Sequence, residues 1–274
     1  MDDFIVTVYV VIDETMRVLE HRDHPLAGVS DAAVLTVAVV AAKYFQNHHA
    51  LALATLQRQG YLSGRLSASR LNRRLHALAD WFGLIQETLA ALLATGDCFL
   101  IDSAPIPACK RARAGRCRTV RGRVYCGACP AKREKVRGTR LRVGRLHLVC
   151  TLDGIPVAFD LLPAGLHDLT PIDELTAGLP EGAPVYGDKG YNSAPDEQWL
   201  WEHDELRLVP QRKKNMWPNE WDDALALHEE RRRIETVFSQ LAAMGIERLH
   251  VRTTAGLALK VHASLLALTC ARAA

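Results

Sequence analysis

The sequence predicts an α/β protein in which a small all-helical segment precedes a domain of short strands and helices. Three observations lead there. Apolar residues recur at helical spacing through much of residues 1–96. From Cys98 the pattern changes to short apolar runs bounded by Pro and Gly, as expected of strands buried on both faces. Those runs then alternate with longer amphipathic stretches as far as Arg272, the order of a layered α/β domain. The 274 residues, 49% hydrophobic and 24% charged, suffice for one large domain or two modest ones. That mix excludes a disordered tail, a collagen and a small disulfide scaffold.

Each element has a local reason. Ser30-Asp31 reads as the cap and first turn of a helix continuing through Ala32 to Phe45. Ser67 or Ser69 caps a helix with Leu71, Leu75 and Leu78 on one face and Arg70, Arg73 and Arg74 on the other. Leu84 to Thr95 follows as a helix closed by Gly96. Such short helices, one with an arginine face, suit a helix-turn-helix-like DNA reader; an ordinary helical bundle fits equally well. Cys98 to Ile101 is a short strand ending at Asp102, before Pro105 and Pro107. Asp153-Gly154 between the apolar runs 145–152 and 155–162 signals a hairpin. Leu169 to Leu179 is expected as a helix, Ala183 to Tyr186 as a strand, Asp196 to His203 as a helix and Leu206 to Pro210 as a strand. His228 to Met244 is an amphipathic helix, and a last helix covers about Thr254 to Arg272. The implied division is a helical domain over 1–96 and a second domain over 97–274, interrupted by a basic, Cys-containing insertion at about 109–145.

The longest stretch without Asp, Glu, Lys or Arg, Tyr44 to Gln57, contains Gln46, Asn47, His48 and His49. A membrane span needs about 20 mostly apolar residues, so no membrane is expected. The start, Met1-Asp2-Asp3-Phe4, lacks the basic region of a signal peptide. Seven cysteines without an export signal favour a reducing cytoplasm, with the cysteines as thiols or metal ligands.

The net charge of +3 hides an asymmetry. Residues 110–145 hold 14 of the 34 Lys and Arg but one of the 31 Asp and Glu. Such a block points to a polyanion, nucleic acid above all; the alternative is a solvated loop. Lys110, Arg111, Arg113, Arg116 and Arg118 are its leading phosphate-binding candidates.

Two apolar strands each run into an aspartate, Asp102 and Asp188. If the strands are adjacent and parallel, about 4.8 Å apart, the carboxylates sit side by side. Two close carboxylates repel, and a divalent cation resolves the repulsion. Oxygen-only ligands favour Mg²⁺ or Mn²⁺. Glu235 borders the apolar face of the 228–244 helix, one turn after Arg231, and is the third acid available. Alternatives stand beside each: a turn residue for Asp102, an N-cap for Asp188 and an Arg231–Glu235 surface pair for Glu235. Asp153, Asp160, Asp168 and Asp173 are rivals. Asp153 is best explained by its turn and Asp168 by capping the helix after it.

Taken together, Ile101-Asp102-Ser103-Ala104-Pro105-Ile106-Pro107, Gly144 to Val149, Asp153-Gly154-Ile155-Pro156-Val157, Leu166-His167-Asp168, Tyr186-Gly187-Asp188-Lys189-Gly190-Tyr191-Asn192 and Arg232 to Gln240 resemble a DDE transposase of a bacterial insertion sequence. The resemblance is greatest to the insertion-sequence 982 group and runs over roughly residues 30–270. It implies a ribonuclease-H-like mixed sheet flanked by helices, with Asp102, Asp188 and Glu235 as the catalytic, metal-binding triad. It also implies two Mg²⁺ or Mn²⁺ ions per active site, cleavage of element ends, and joining of the freed 3′-OH to target DNA. Asp102 would bridge the ions, with Asp188 and Glu235 each on one of them. Ser103 and Tyr191 are then positioning or packing residues, and Lys189, Arg212, Lys213 and Lys214 hold phosphates; a simple surface role is the alternative for Lys213 and Lys214. The expected partners are the element's inverted repeats and target DNA, bound by a homodimer in the cytoplasm at the nucleoid. A DNA-binding regulator with an inactive catalytic domain, and a structure-specific nuclease of the same fold, are the alternatives.

Cys109, at the edge of the basic block, and Cys117, Cys126 and Cys129 inside it fall within 21 residues, and Cys126-Gly127-Ala128-Cys129 has the spacing of a zinc knuckle. The seven residues between Cys109 and Cys117 form no second knuckle. Structural zinc and free thiols are therefore both open readings.

Overall fold

The computed structural model describes residues 1–107, 126–127 and 141–273. In chain order the elements are α1 (Asp2–Val18), α2 (Asp31–Phe45), α3 (His49–Arg58), α4 (Ala68–Ala77), α5 (Ala79–Leu93), β1 (Phe99–Pro107), β2 (Cys126–Gly127), β3 (Leu141–Thr151) and β4 (Pro156–Pro163). There follow α6 (Ile172–Thr176), β5 (Pro184–Gly187), α7 (Ala194–Asp204), β6 (Arg207–Pro210), α8 (Trp221–Ala243) and α9 (Thr254–Ala273). They divide into two compact units, Met1–Leu93 with Gln240–Ala274, and Ala94–Ser239.

The helical unit is built around α2. Ser30 caps it by accepting from the Ala33 amide at 3.2 Å. All residues from Ala32 to Ala42 are buried, as a helix apolar on every side must be. Ser67, not Ser69, caps α4. The helix α9 packs on α2 and α5. Its Thr269 hydroxyl donates to Gln86 Oε1 at 2.9 Å, and its Ser264 hydroxyl accepts from Asn47 Nδ2 at 3.0 Å. Here the structure departs from the expected boundary. Residues after Ser239 group with the first five helices, because α9 buries its leucines there instead of on the sheet. By length and composition α9 is also apolar enough to cross a membrane; its burial is that of a core helix.

The second unit holds a five-stranded mixed sheet in the order β4-β3-β1-β5-β6, and β2 pairs the start of β3. The strands β1, β3 and β4 are antiparallel neighbours, and β5 and β6 run parallel to β1. The hairpin between β3 and β4 turns at Asp153-Gly154, where Gly154 takes a φ of 76° that favours glycine. On one face Phe99, Ile101, Val149, Val185 and Leu208 pack with Ile172 and Leu175 of α6, Leu200 of α7 and Tyr191. Side chains alternate along a strand, so Tyr186 points the other way. Its hydroxyl donates to Asp223 of α8 at 3.3 Å, which places α8 on the opposite face.

Several bounds differ from expectation. The first strand does not stop at Asp102 but continues to Pro107, because the antiparallel β3 pairs with it along its whole length. The helix expected over 169–179 is only the short α6. The α5 helix starts at Ala79 and ends at Leu93, before Gly96. The α8 helix starts at Trp221, seven residues early, with Asp222 and Asp223 in its first turn.

Candidate active site

The parallel register between β1 and β5 ends at Ile101↔Gly187. The next residue on each strand is an aspartate, so Asp102 and Asp188 emerge side by side where β5 stops. Asp188 caps the single 3₁₀ turn Lys189–Tyr191, accepting from the Gly190 amide at 2.7 Å. The capping reading of Asp188 is therefore correct, and it leaves the second carboxylate oxygen available. Asp102 lies inside a continuous strand, which removes the turn reading. Its Oδ1 accepts from the Ser103 amide at 2.7 Å.

Burial pushes the Asp102 carboxyl up to about 6, and the charges of Asp188 and Asp168 push in the same direction. The Ser103 amide and the Arg231 guanidinium oppose them without prevailing. Ionising a buried acid close to other acids is costly unless a cation joins it.

The structure brings a third aspartate here, but not as the sequence suggested. Asp168 does not cap α6, whose N-cap is Pro171. Its Oδ1 instead accepts from the Ser103 hydroxyl at 2.7 Å and from Arg145 Nη1. These two donors outweigh burial and hold the Asp168 carboxyl below its usual value. Gly190 lies beneath this group. A Cβ there would meet Asp188 Oδ1 at 2.9 Å and Asp168 Oδ2 at 3.0 Å.

Around the aspartates lie buried polar atoms without a hydrogen-bond partner: the Tyr191 hydroxyl, both ring nitrogens of His147, and Arg145 Nε. Tyr191 is fully buried, and burial together with Asp102, Asp168 and Asp188 pushes its hydroxyl far up, so it remains a proton donor. Burial lowers His147, which opposes Ser103 on β3, and keeps its imidazole neutral.

Glu235 is exposed on α8 and does not lie within 4.8 Å of the two aspartates as a three-ligand group. It does not pair with Arg231 in the way the surface alternative required. Arg231 Nη1 donates to Gln211 Oε1 at 2.9 Å, and its charge acts on Asp102. Glu235 stands one turn after Arg231 on that face of the helix.

The basic candidates fare differently. Lys189, Lys213 and Lys214 are exposed. Arg212 is committed to protein: its two terminal nitrogens each meet Glu197 at 2.7 Å, and its Nε donates to Asn219 at 2.8 Å. This fork ties the loop after β6 to α7 and engages three of the guanidinium's donors. Lys110, Arg111, Arg113, Arg116 and Arg118, with Cys109, Cys117 and Cys129, lie outside the described residues; of Cys126 only the strand pairing with Arg142 is described.

Among the described residues the three-ligand group with metal-like spacing is His21, Asp23 and Asp31, in the helical unit. It does not fit a cation. Arg74 grips Asp31 Oδ1 through two nitrogens, and His21 Nε2 meets Oδ2 at 2.9 Å. Arginine already occupies the place a metal would take. The Asp102–Asp188 pair does fit one: its donors are all oxygens, burial and neighbouring acids hold one carboxyl far above its usual value, and a buried hydroxyl beside it lacks a partner.

A mixed sheet with paired acids where two parallel strands end defines a class of protein suited to cation-assisted chemistry on a polar substrate. The family model described as the transposase DDE domain matches residues 94–270, and the chain belongs to that family. A stretch of 57 residues, 21% of this chain, is 39% identical to the transposase for insertion sequence element IS1106 of Neisseria meningitidis serogroup B. The match spans only 20% of the length of that relative. No solved structure matches the chain.

Proposed function

We propose that this protein is a DNA transposase that cuts the ends of an insertion sequence and joins the freed 3′-OH to target DNA. The observation that carries the reading is the Ile101↔Gly187 register, which sets Asp102 beside Asp188 in a chain of the transposase DDE family. In this reading the second unit is a ribonuclease-H-like catalytic domain, and Asp102, Asp188 and Glu235 form its triad. Mg²⁺ or Mn²⁺ held by these carboxylates would activate water and stabilise the leaving 3′-oxygen. The chain's own groups do the rest. Asp188 is oriented by the Gly190 amide, and Arg231 lends positive charge to Asp102. Lys189, Lys213 and Lys214 supply cationic ends for the DNA backbone.

Other assignments belong to the same proposal. The 110–145 block carries much of the DNA affinity, and Cys109, Cys117, Cys126 and Cys129 would close a tetrahedral zinc site. The helical unit presents Arg65, Arg70 and Arg73 along a groove of about 530 Å³, suited to phosphates of the terminal repeats. The protein acts as a homodimer on DNA at the nucleoid. The order of the sequence motifs supports the insertion-sequence 982 group, and the terminal repeats beside the gene test that grouping.

The experiment is incubation of the full chain with Mg²⁺, labelled duplexes ending in the repeats that flank the gene, and a supercoiled target. Nicked ends and a strand-transfer product are expected. Nicking without joining would indicate a nuclease, and binding without nicking a regulator.

A further inference from the structure

We propose that Asp168 is a positioning residue that braces both paired aspartates, Asp102 through Ser103 and Asp188 through Gly190. The proposal rests on the reading of Asp102 and Asp188 as the acids of the reaction and goes beyond it, since Asp168 is no member of the triad.

The need for a brace arises in the sheet. Beyond Ile101↔Gly187 the strand β1 loses β5 as a neighbour and pairs with β3 alone, while the chain after β5 turns into the 3₁₀ segment Lys189–Tyr191. Asp102 and Asp188 are each the first residue past the point where the β1–β5 ladder stops. The ladder holds the backbone, and each carboxylate is oriented by what donates to it. For Asp102 that donor is the Ser103 amide, at 2.7 Å from Oδ1; for Asp188 it is the Gly190 amide, also at 2.7 Å from Oδ1.

Both donor residues also meet Asp168. The Ser103 hydroxyl donates to Asp168 Oδ1 at 2.7 Å. Gly190 sits so close to the other oxygen that a Cβ on it would lie 3.0 Å from Asp168 Oδ2. The two oxygens of one carboxylate thus face the two residues whose amides orient the paired acids. Asp168 is itself held firmly. Arg145 Nη1 bonds the same Oδ1 as Ser103, in a charge-assisted contact that is mostly shielded from solvent. The register Ser103↔His147 puts Arg145 two residues along β3, on the same face of the sheet as Ser103. One carboxylate oxygen therefore ties β1 to β3 across that face. The segment that carries Asp168 follows β4, which pairs only with β3 in the sheet, so Asp168 brings a separate stretch of chain to the end of β1.

A brace differs from a metal ligand in what it needs from the side chain. A ligand needs negative charge. A brace needs an acceptor oxygen of the right shape, and the Asn carboxamide offers one to Ser103 and Arg145. Ser103 likewise needs a hydroxyl, which threonine keeps.

The test compares Asp168→Ala, Asp168→Asn, Ser103→Ala and Ser103→Thr in the full chain. The first readout is single-turnover cleavage in Mg²⁺ of a labelled duplex ending in the repeats that flank the gene, with DNA affinity measured in parallel. Asp168→Ala and Ser103→Ala are expected to slow cleavage at least about tenfold at unchanged DNA affinity, the size of loss typical when the support of a ligand is removed. Asp168→Asn and Ser103→Thr are expected to restore most of the rate. The second readout needs no metal: in EDTA, amide hydrogen exchange across 188–192 is expected to quicken at least about tenfold in Asp168→Ala, and to stay as in wild type in Asp168→Asn. If Asp168→Ala fails to fold, Ser103→Ala, which removes one hydroxyl, carries the comparison with Ser103→Thr. Wild-type cleavage by both alanine variants would overturn the brace, and so would an Asp168→Asn as slow as Asp168→Ala, which would show that the charge itself is what matters. A wild-type chain that cuts nothing would overturn the proposed function, and the exchange result would then decide the brace by itself.

Discussion

Replacing Asp102 with Asn should make the metal-free protein more stable at neutral pH, although it removes a residue proposed as essential. The Asp102 carboxyl lies at about 6 in the folded protein, against 3.8 for an unperturbed aspartate. Because the folded value is the higher one, its contribution to stability is fully present below about pH 4. It is lost as the pH rises through 6. A rise of roughly two pH units corresponds to about 3 kcal/mol, an upper figure because local opening and water entry relieve part of it. Asn keeps the shape and never ionises, so it escapes this cost. The assay is urea unfolding of wild type and Asp102→Asn in EDTA, at about pH 5 and about pH 7.5. The variant should be the more stable at the higher pH by about 2–3 kcal/mol, and the gap should narrow at the lower pH. Comparing the two proteins at each pH cancels groups that titrate in both, such as His49, which burial lowers to about 3. Saturating Mn²⁺ should shrink the gap by stabilising wild type alone. A variant that is no more stable than wild type at neutral pH would refute the view of Asp102 as a buried acid awaiting a cation.

Three further outcomes follow from the same structure. Gly190→Ala should leave the sheet folded but weaken Mn²⁺ binding, because the added Cβ would fall 2.9 Å from Asp188 Oδ1 and displace that carboxylate; unchanged affinity would mean that the placement of Asp188 does not depend on the glycine. Arg212→Ala should cost about 2–3 kcal/mol in urea unfolding by breaking the partly buried fork to Glu197, and should leave the salt dependence of DNA binding unchanged; a flattened salt slope would return Arg212 to the DNA-binding set. Alanine at Arg111, Arg113, Arg116 and Arg118 should flatten that slope, by about 0.9 for each phosphate no longer neutralised, measured by fluorescence anisotropy across a salt series; an unchanged slope would leave the block a solvated loop.

Much of the architecture is legible where a signal is local. Ser30 and Ser67 cap helices through amides three residues on, and Asp153-Gly154 turns a hairpin, all within a few residues of chain. The pairing of Asp102 with Asp188 was also foreseeable, because two apolar strands each run into an aspartate and neighbouring strands set the spacing. What escaped the sequence depends on distant partners. Asp168 resembles a helix cap until Ser103, 65 residues away, and Arg145, 23 residues away, are seen to hold it. The pairing of Arg212 with Glu197, 15 residues earlier, likewise has no local signal. The length of β1 is set by β3 across the basic block, and the burial of α9 is set by α2 and α5 at the other end of the chain. Tyr191 and Gly190 form part of a glycine- and aspartate-rich stretch, but only geometry shows that the hydroxyl lacks a partner and that the glycine is needed for space.

The central claim is that Asp102, Asp188 and Glu235 together support DNA cleavage. It is tested most directly by single-turnover cleavage of a labelled element end in Mg²⁺ by Asp102→Asn, Asp188→Asn and Glu235→Gln, with DNA affinity measured in parallel. Each variant is predicted to bind the DNA as wild type does and to cleave it at least about a thousandfold more slowly, on the order of 4 kcal/mol in the barrier. Near wild-type cleavage by any one of the three would contradict the claim, and for Glu235, which stands exposed on α8, would remove the helix from the active site.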